Sequence, residues 1–126
     1  IEVDWLSGCA MMVRREAWQQ LSGFDERFFM YCEDVDLCWR AHEAGWKVVY
    51  HPEALVTHAI GRSSDKAVNA MIRQFHRSHR LFFQKHYAHR LPVWSRLLIP
   101  LGLWLRANLL VVRNYLIALR LKVLGR

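Results

Sequence analysis

The hydrophobic pattern changes its period near residues 61–66, and the chain divides there. In the front part, apolar runs are short and broken by turn-forming residues. Residues 3–6 and 10–13 read as strands parted by Ser7-Gly8, residues 47–50 as a β-branched strand, and residues 54–58 as another beyond Pro52. Residues 15–21 read as a short helix with Gly23 in the C′ position, and residues 33–44 as a second helix stopped by Gly45. Between them, residues 24–31 form a loop rich in aromatics.

From Lys66 the period becomes helical. Val68, Met71, Ile72, Phe75, His79, Phe82, Phe83 and His86 fall on one stripe, while Arg73, His76, Arg77 and Arg80 take other faces. Pro92 ends or bends that helix. Residues 94–124 then form a long apolar helical region containing Pro100 and Gly102. Mixed α/β in front and all helix behind is the expected architecture.

Charge sharpens the division. All eleven acidic residues lie at or before Asp65, against six Lys/Arg there, a balance of −5. Residues 66–126 carry twelve Lys/Arg and no acid. The front can do carboxylate chemistry, and the basic back should seek phosphates. Its aromatics sit on apolar stripes and no RNA- or DNA-binding motif occurs, so nucleic acid is not an expected partner. At 126 residues and 53% hydrophobic, disorder is excluded. The chain begins at Ile1 in an apolar stretch without a basic n-region, and is expected to be part of a longer protein.

The longest uncharged stretch of the back is nine residues, 97–105, against about twenty for a span. A span would bury Arg106 and Arg113, each costing roughly 2.5–3.5 kcal/mol. Arg106, Arg113 and Arg120 are seven apart and share one face, which fits a helix lying in the membrane interface. Packing on a partner subunit, with the arginines in water, is the alternative.

Cys9, Cys32 and Cys38 form no C-x-x-C pair, so reduced, buried thiols on the cytoplasmic side are expected. Spacings of three and seven could place three of His76, His79, His86 and His89 on one helical side, where metal binding is possible in principle, but His79 and His86 fall on the apolar stripe and read as packing residues.

Glu33, Asp34 and Asp36 open the second helix. Carboxylates in a first turn commonly just complement the helix dipole. Asp34 shares a stripe with Leu37, Cys38 and Ala41 and should face the body of the domain, with Asp36 about 200° around and pointing elsewhere. Phe28, Phe29 and Tyr31 could wall a pocket beside it. A carboxylate at the mouth of such a pocket can serve as general base toward a hydroxyl. Asp34-Val35-Asp36 spells D-x-D, but on a helix the two side chains diverge, which discounts a shared metal ion.

The order of segments is itself informative. Trp5-Leu6-Ser7-Gly8-Cys9-Ala10-Met11-Met12-Val13-Arg14-Arg15 precedes Gly23-Phe24-Asp25-Glu26-Arg27-Phe28-Phe29. Glu33-Asp34-Val35-Asp36-Leu37-Cys38-Trp39-Arg40 and Gly45-Trp46-Lys47-Val48-Val49-Tyr50 follow. Over about residues 2–90 this run resembles the acceptor-side half of family 2 glycosyltransferases, especially bacterial rhamnosyltransferase-like members. The resemblance implies a GT-A fold, an α/β sandwich with a mixed sheet, and inverting transfer from a nucleotide-sugar donor to a glycan or lipid-linked acceptor. It implies the division 1–65 acceptor-side half, 66–91 packing helix and 92–126 amphipathic tail.

By the same match Asp34 is the catalytic base, and Glu33 supports the acceptor or holds Asp34. Asp36 falls where family members also carry Asp, for structure. Trp5, Leu6, Ser7 and Gly8 resemble the stretch lining acceptor and donor sugar, and Phe29, Tyr31 and Arg62 join the substrate-binding set. His58 matches a histidine that helps bind metal or diphosphate, although Ala59-Ile60 replaces the usual glycine-rich approach, and a strand-end histidine is the alternative. A divalent cation, Mg or Mn, is expected mainly through the nucleotide-binding half, whose own D-x-D is not in this sequence. This chain alone is therefore expected neither to hold the donor tightly nor to turn over. The implied setting is cell-envelope polysaccharide or glycolipid synthesis in a bacterium, at a cytoplasmic, peripheral location on the inner membrane face, with oligomerisation possible. A membrane-associating or scaffolding module without catalysis is the competing reading.

Overall fold

The computed structural model describes residues 1–58 and 67–124. The chain forms two compact units, Ile1–Ile60 and Gly61–Arg126. Arg62 lies outside the described residues.

The first unit is built on two helices, α1 (Arg15–Gln20) and α2 (Glu33–Glu43). Both end in Schellman turns. In α2 the Trp46 and Gly45 amides donate to the Ala41 and His42 carbonyls at 2.8 and 3.0 Å, with Gly45 left-handed at φ +81. In α1 the turn is offset by one residue from the sequence expectation. Ser22, not Gly23, takes the C′ position at φ +57, and its amide donates to the Gln19 carbonyl. Gly23 follows at φ +67 and donates to the Trp18 carbonyl at 3.0 Å. A side chain at Gly23 would lie 2.9 Å from the Trp18 ring, so packing as well as dihedral selects glycine there.

The expected strands are where the fold departs from the sequence reading. Residues 1–3 and 48–50 pair antiparallel through one bridge, Glu2 with Val49, and through the Val3 amide on the Val48 carbonyl at 3.0 Å. The runs 10–13 and 54–58 form no ladder among the described residues. β-propensity describes a fit to a pleated, partnered surface, and a ladder needs a neighbour to exchange hydrogen bonds. Leu55, 93% exposed, has none. The α/β sandwich is thus not seen here.

The small core of this unit comprises Ala17, Phe28, Cys32, Leu37, Cys38 and Val48. Across it runs an ion pair. Asp36 is wholly buried, and its Oδ2 accepts from Arg40 Nε at 2.8 Å. The same guanidinium donates to the Leu21 carbonyl at 2.6 Å and the Gly23 carbonyl at 2.8 Å. Arg40 therefore ties α2 to the two carbonyls that end α1.

The second unit is a pair of packed helices, α3 (Val68–His86) and α4 (Ser95–Val123). Phe83 and His86 are buried, and His86 lies 4.7 Å from the Phe82 ring. His79 donates to the Phe75 carbonyl at 2.8 Å and stacks on that ring at 3.9 Å. His76, expected on another face, is buried at 5% exposure. On α4 the buried positions are Ser95, Ala107 and Val111. Pro92 opens the turn into α4, accepting from the Ser95 amide at 2.9 Å and hydroxyl at 2.6 Å. α4 runs through Pro100 for 29 residues, about 44 Å at 1.5 Å per residue. By length and composition it is long and apolar enough to cross a membrane.

Candidate active site

The N-terminus of α2 is where the candidate residues meet. The entry is unusual. Tyr31 and Cys32 are both left-handed, at φ +68 and +67, although neither is glycine or asparagine. Each such residue costs on the order of 1 kcal/mol, so the surroundings must hold the turn. Burial of Phe28 and Cys32 and the Asp36 amide bond to the Cys32 carbonyl at 2.8 Å do so.

Directly after this turn, Asp34 is half-buried. Its Oδ2 accepts the Gly8 amide at 2.8 Å, and its Oδ1 accepts the Val35 amide at 2.8 Å. Each bond uses one of the lone pairs of an oxygen, and each oxygen keeps another for an incoming hydroxyl proton. A β-carbon at Gly8 would sit 3.4 Å from the Asp34 β-carbon, in van der Waals contact with it. Ser7 steadies the same loop through its hydroxyl, which accepts the Cys9 amide at 3.4 Å. Leu6 bonds through its backbone to the Cys38 thiol, one turn along α2 from Asp34. Glu33 Oε2 is buried with no hydrogen-bond partner among the described residues. Asp34, Glu33, Leu6, Ser7 and Gly8 therefore come together.

The remaining described candidates differ in their exposure. Phe29 is 80% exposed, and Phe28 is the aromatic that turns inward. Tyr31 is half-buried within the strained turn, Trp5 is about half exposed, and His58 is exposed. The unit's large apolar cavity, about 600 Å³, lies along Leu6, Met11, Leu37, Cys38, Ala41 and Trp46, on the face of α2 that Asp34 was expected to share.

Asp36, expected to serve structure, is the more deeply buried of the two acids. It is the buried carboxylate of the pair, because its stripe meets the end of α1 through Arg40. The i,i+4 spacing of opposite charges was the signal for that lock. Being consumed by Arg40, Asp36 cannot complete a metal site with Asp34. Among the described residues no three His, Cys, Asp or Glu side chains are grouped to hold a metal ion. The donor set of the described residues does not fit a divalent cation.

The thiols are poor ligands as well. Burial pushes the Cys32 thiol up to about 11, with the Asp34, Glu33 and Asp36 carboxylates adding to the shift. Burial also raises Cys38, against the Leu6 backbone bond that favours its thiolate.

A loop amide bonded to the first-turn carboxylate of a helix makes a carboxylate-centred site. Comparison with known proteins identifies the class. The family model described as glycosyltransferase like family 2 matches residues 2–76, and the chain belongs to that family. It is 42% identical over 114 residues to the N-acetylglucosaminyl-diphospho-decaprenol L-rhamnosyltransferase of Mycobacterium tuberculosis (strain ATCC 25618 / H37Rv), covering 90% of this chain and 35% of that protein. It is 45% identical over 56 residues to the rhamnosyltransferase WbbL of Escherichia coli (strain K12), covering 44% of this chain and 21% of that protein. The pre-mycofactocin glycosyltransferase of M. tuberculosis (strain ATCC 25618 / H37Rv) matches with the same identity and length over 12% of its own. The chain thus spans about a third, or less, of the length of these relatives. No solved structure matches it.

Proposed function

We propose that this chain is the acceptor-side part of an inverting glycosyltransferase of GT-A architecture. It moves a sugar, with rhamnose the leading candidate, from a nucleotide donor to a lipid-linked or other cell-envelope acceptor. Asp34 is the general base. Family membership and the names of the rhamnosyltransferase relatives support the reaction class, and the bond between the Gly8 amide and Asp34 Oδ2 carries the assignment of the base. An acceptor alcohol is a poor nucleophile, so a fixed carboxylate must take its proton as the carbon–oxygen bond forms. The Gly8 and Val35 amides orient that carboxylate, and Glu33 supports the acceptor beside it. Trp5, Leu6, Ser7 and Gly8 are assigned to substrate binding together with Phe29, Tyr31 and Arg62, and His58 to the metal or diphosphate. A divalent cation, where used, is held mainly by a donor-binding part of the protein. The division is 1–65 for the acceptor side, 66–91 for the packing helix and 92–126 for the tail.

The test is Asp34→Asn in the full-length protein. Asparagine keeps an oxygen for the Gly8 amide but cannot accept the proton. Transfer should fall by about 10²–10⁴-fold with folding intact, and near-normal turnover would remove Asp34 from the mechanism.

A second reading concerns the tail. Leu97, Leu98, Leu101, Trp104, Leu105 and Leu109 are all exposed on α4, and Arg106, Arg113 and Arg120 recur on one face. We read it as lying on the inner surface of the cytoplasmic membrane with its arginines toward headgroups. Flotation with liposomes should depend on anionic lipid, and equal flotation without it would argue against the arginine face.

A further inference from the structure

A groove of about 340 Å³ lies within the second unit, between α3 and α4. α3 lines it with Arg73, His76, Arg77 and Arg80, and α4 with Pro100, Leu103, Trp104, Ala107 and Asn108. We propose that this groove binds a phosphate or diphosphate group, of the kind a lipid-linked sugar carries.

Three observations meet here. The first is uncompensated charge. Arg73 and Arg77 are i,i+4 neighbours, and Arg77 and Arg80 are i,i+3 neighbours, so like charges crowd one face of α3 and weaken the helix. No acidic residue occurs after Asp65 on α3 or α4. An anion in the groove relieves that repulsion, and guanidinium groups are suited by their planar fork to phosphate oxygens.

The second is His76. Only 5% exposed, it lines the groove, and its Nδ1 donates to the Ile72 carbonyl at 2.7 Å. That bond fixes the proton on Nδ1. The opposite nitrogen, Nε2, is buried and has no hydrogen-bond partner among the described residues. Buried polar atoms are nearly always paired, so a ligand is the natural partner for this one. With the proton on Nδ1, Nε2 accepts, and a phosphate hydroxyl can donate to it.

The third is the set of neutral groups opposite. Asn108 accepts from Arg73 Nη1 at 3.5 Å and donates to the Trp104 carbonyl at 2.8 Å, so its amide is positioned beside the arginines. Trp104 is 57% exposed, and Leu101 and Leu105 on the same helix are also exposed. A lipid chain could follow this apolar surface while its headgroup sits among the arginines. The proposal deepens the transferase reading and rests on it only for the source of the group.

The test uses the full-length protein without donor sugar, so a protein that transferred nothing would still give the result. Phosphatidylcholine vesicles carrying a polyprenyl diphosphate are compared with vesicles carrying phosphatidylglycerol at equal charge, and with free pyrophosphate. The doubly substituted Arg77→Gln/Arg80→Gln protein changes two exposed residues, and circular dichroism checks its fold. Tighter binding to the diphosphate lipid than to phosphatidylglycerol, lost by about tenfold or more in the variant, supports a lipid-borne ligand. Equal affinity for free pyrophosphate, with the same loss, supports the site with a soluble ligand. Unchanged binding by the variant, no preference over phosphatidylglycerol, or stronger retention of a random RNA oligonucleotide would each overturn it.

Discussion

Replacing Arg40 with methionine removes three interactions while keeping most of the side-chain volume. The ion pair to the wholly buried Asp36 goes, and so do the donors to the Leu21 and Gly23 carbonyls. The dominant effect is on the Asp36 carboxylate, which loses its cationic partner while it stays out of water. Breaking a buried pair from one side costs about 3–5 kcal/mol, more than the separate hydrogen bonds suggest, because an unpaired charge stays out of water. At a urea dependence of about 2 kcal/mol per molar, the midpoint should fall by roughly 2 M. Urea unfolding of the full-length protein, followed by tryptophan fluorescence, measures this. Asp36→Asn should cost less, since the amide oxygen still accepts from Arg40 Nε. Asp36→Leu combined with Arg40→Met should cost less than the sum of its singles, since no charge is left behind. A loss below about 1 kcal/mol for Arg40→Met, or strict additivity in the double variant, would refute the reasoning.

The two left-handed glycines should separate by packing. Gly45→Ala meets nothing within 4 Å and should cost about 1–2 kcal/mol from its dihedral alone, whereas Gly23→Ala drives a methyl against Trp18 and should cost about 1–3 kcal/mol more in thermal melts. Iodoacetamide at pH 8 should label exposed Cys9 far faster than Cys32 or Cys38, read by mass spectrometry, because burial keeps the latter two as thiols. A thiol whose folded value is raised contributes stability present below its unfolded value of 9.0 and lost as pH rises toward about 11. Alkaline unfolding in that window should therefore soften in Cys32→Ala.

The helices were legible because their signals are local. Gly45 gives α2 its end, and the 3–4 spacing from Val68 onward gives α3. The strands were not, since residues 10–13 and 54–58 carry β-forming side chains whose partners no local pattern supplies. The acidic cluster was legible as a cluster, but its division of labour was not. A helical wheel puts Asp36 away from Asp34; it does not say that the end of α1 lies on that side, waiting for Arg40. Likewise Tyr31 and Cys32 give no hint in their side chains of a left-handed turn. Burial and the bonds that follow impose it.

Helix α2 is fastened at both ends, at its start through residue 34 to the Gly8 loop and near its finish through Arg40 to the close of α1. It behaves as a beam between two anchors. Slackening the far anchor would tilt the beam and carry the carboxylate off its mark. In a random-mutagenesis screen for lost activity, hits should therefore gather at positions 23, 36 and 40, and would pass for chemistry until their stability was measured.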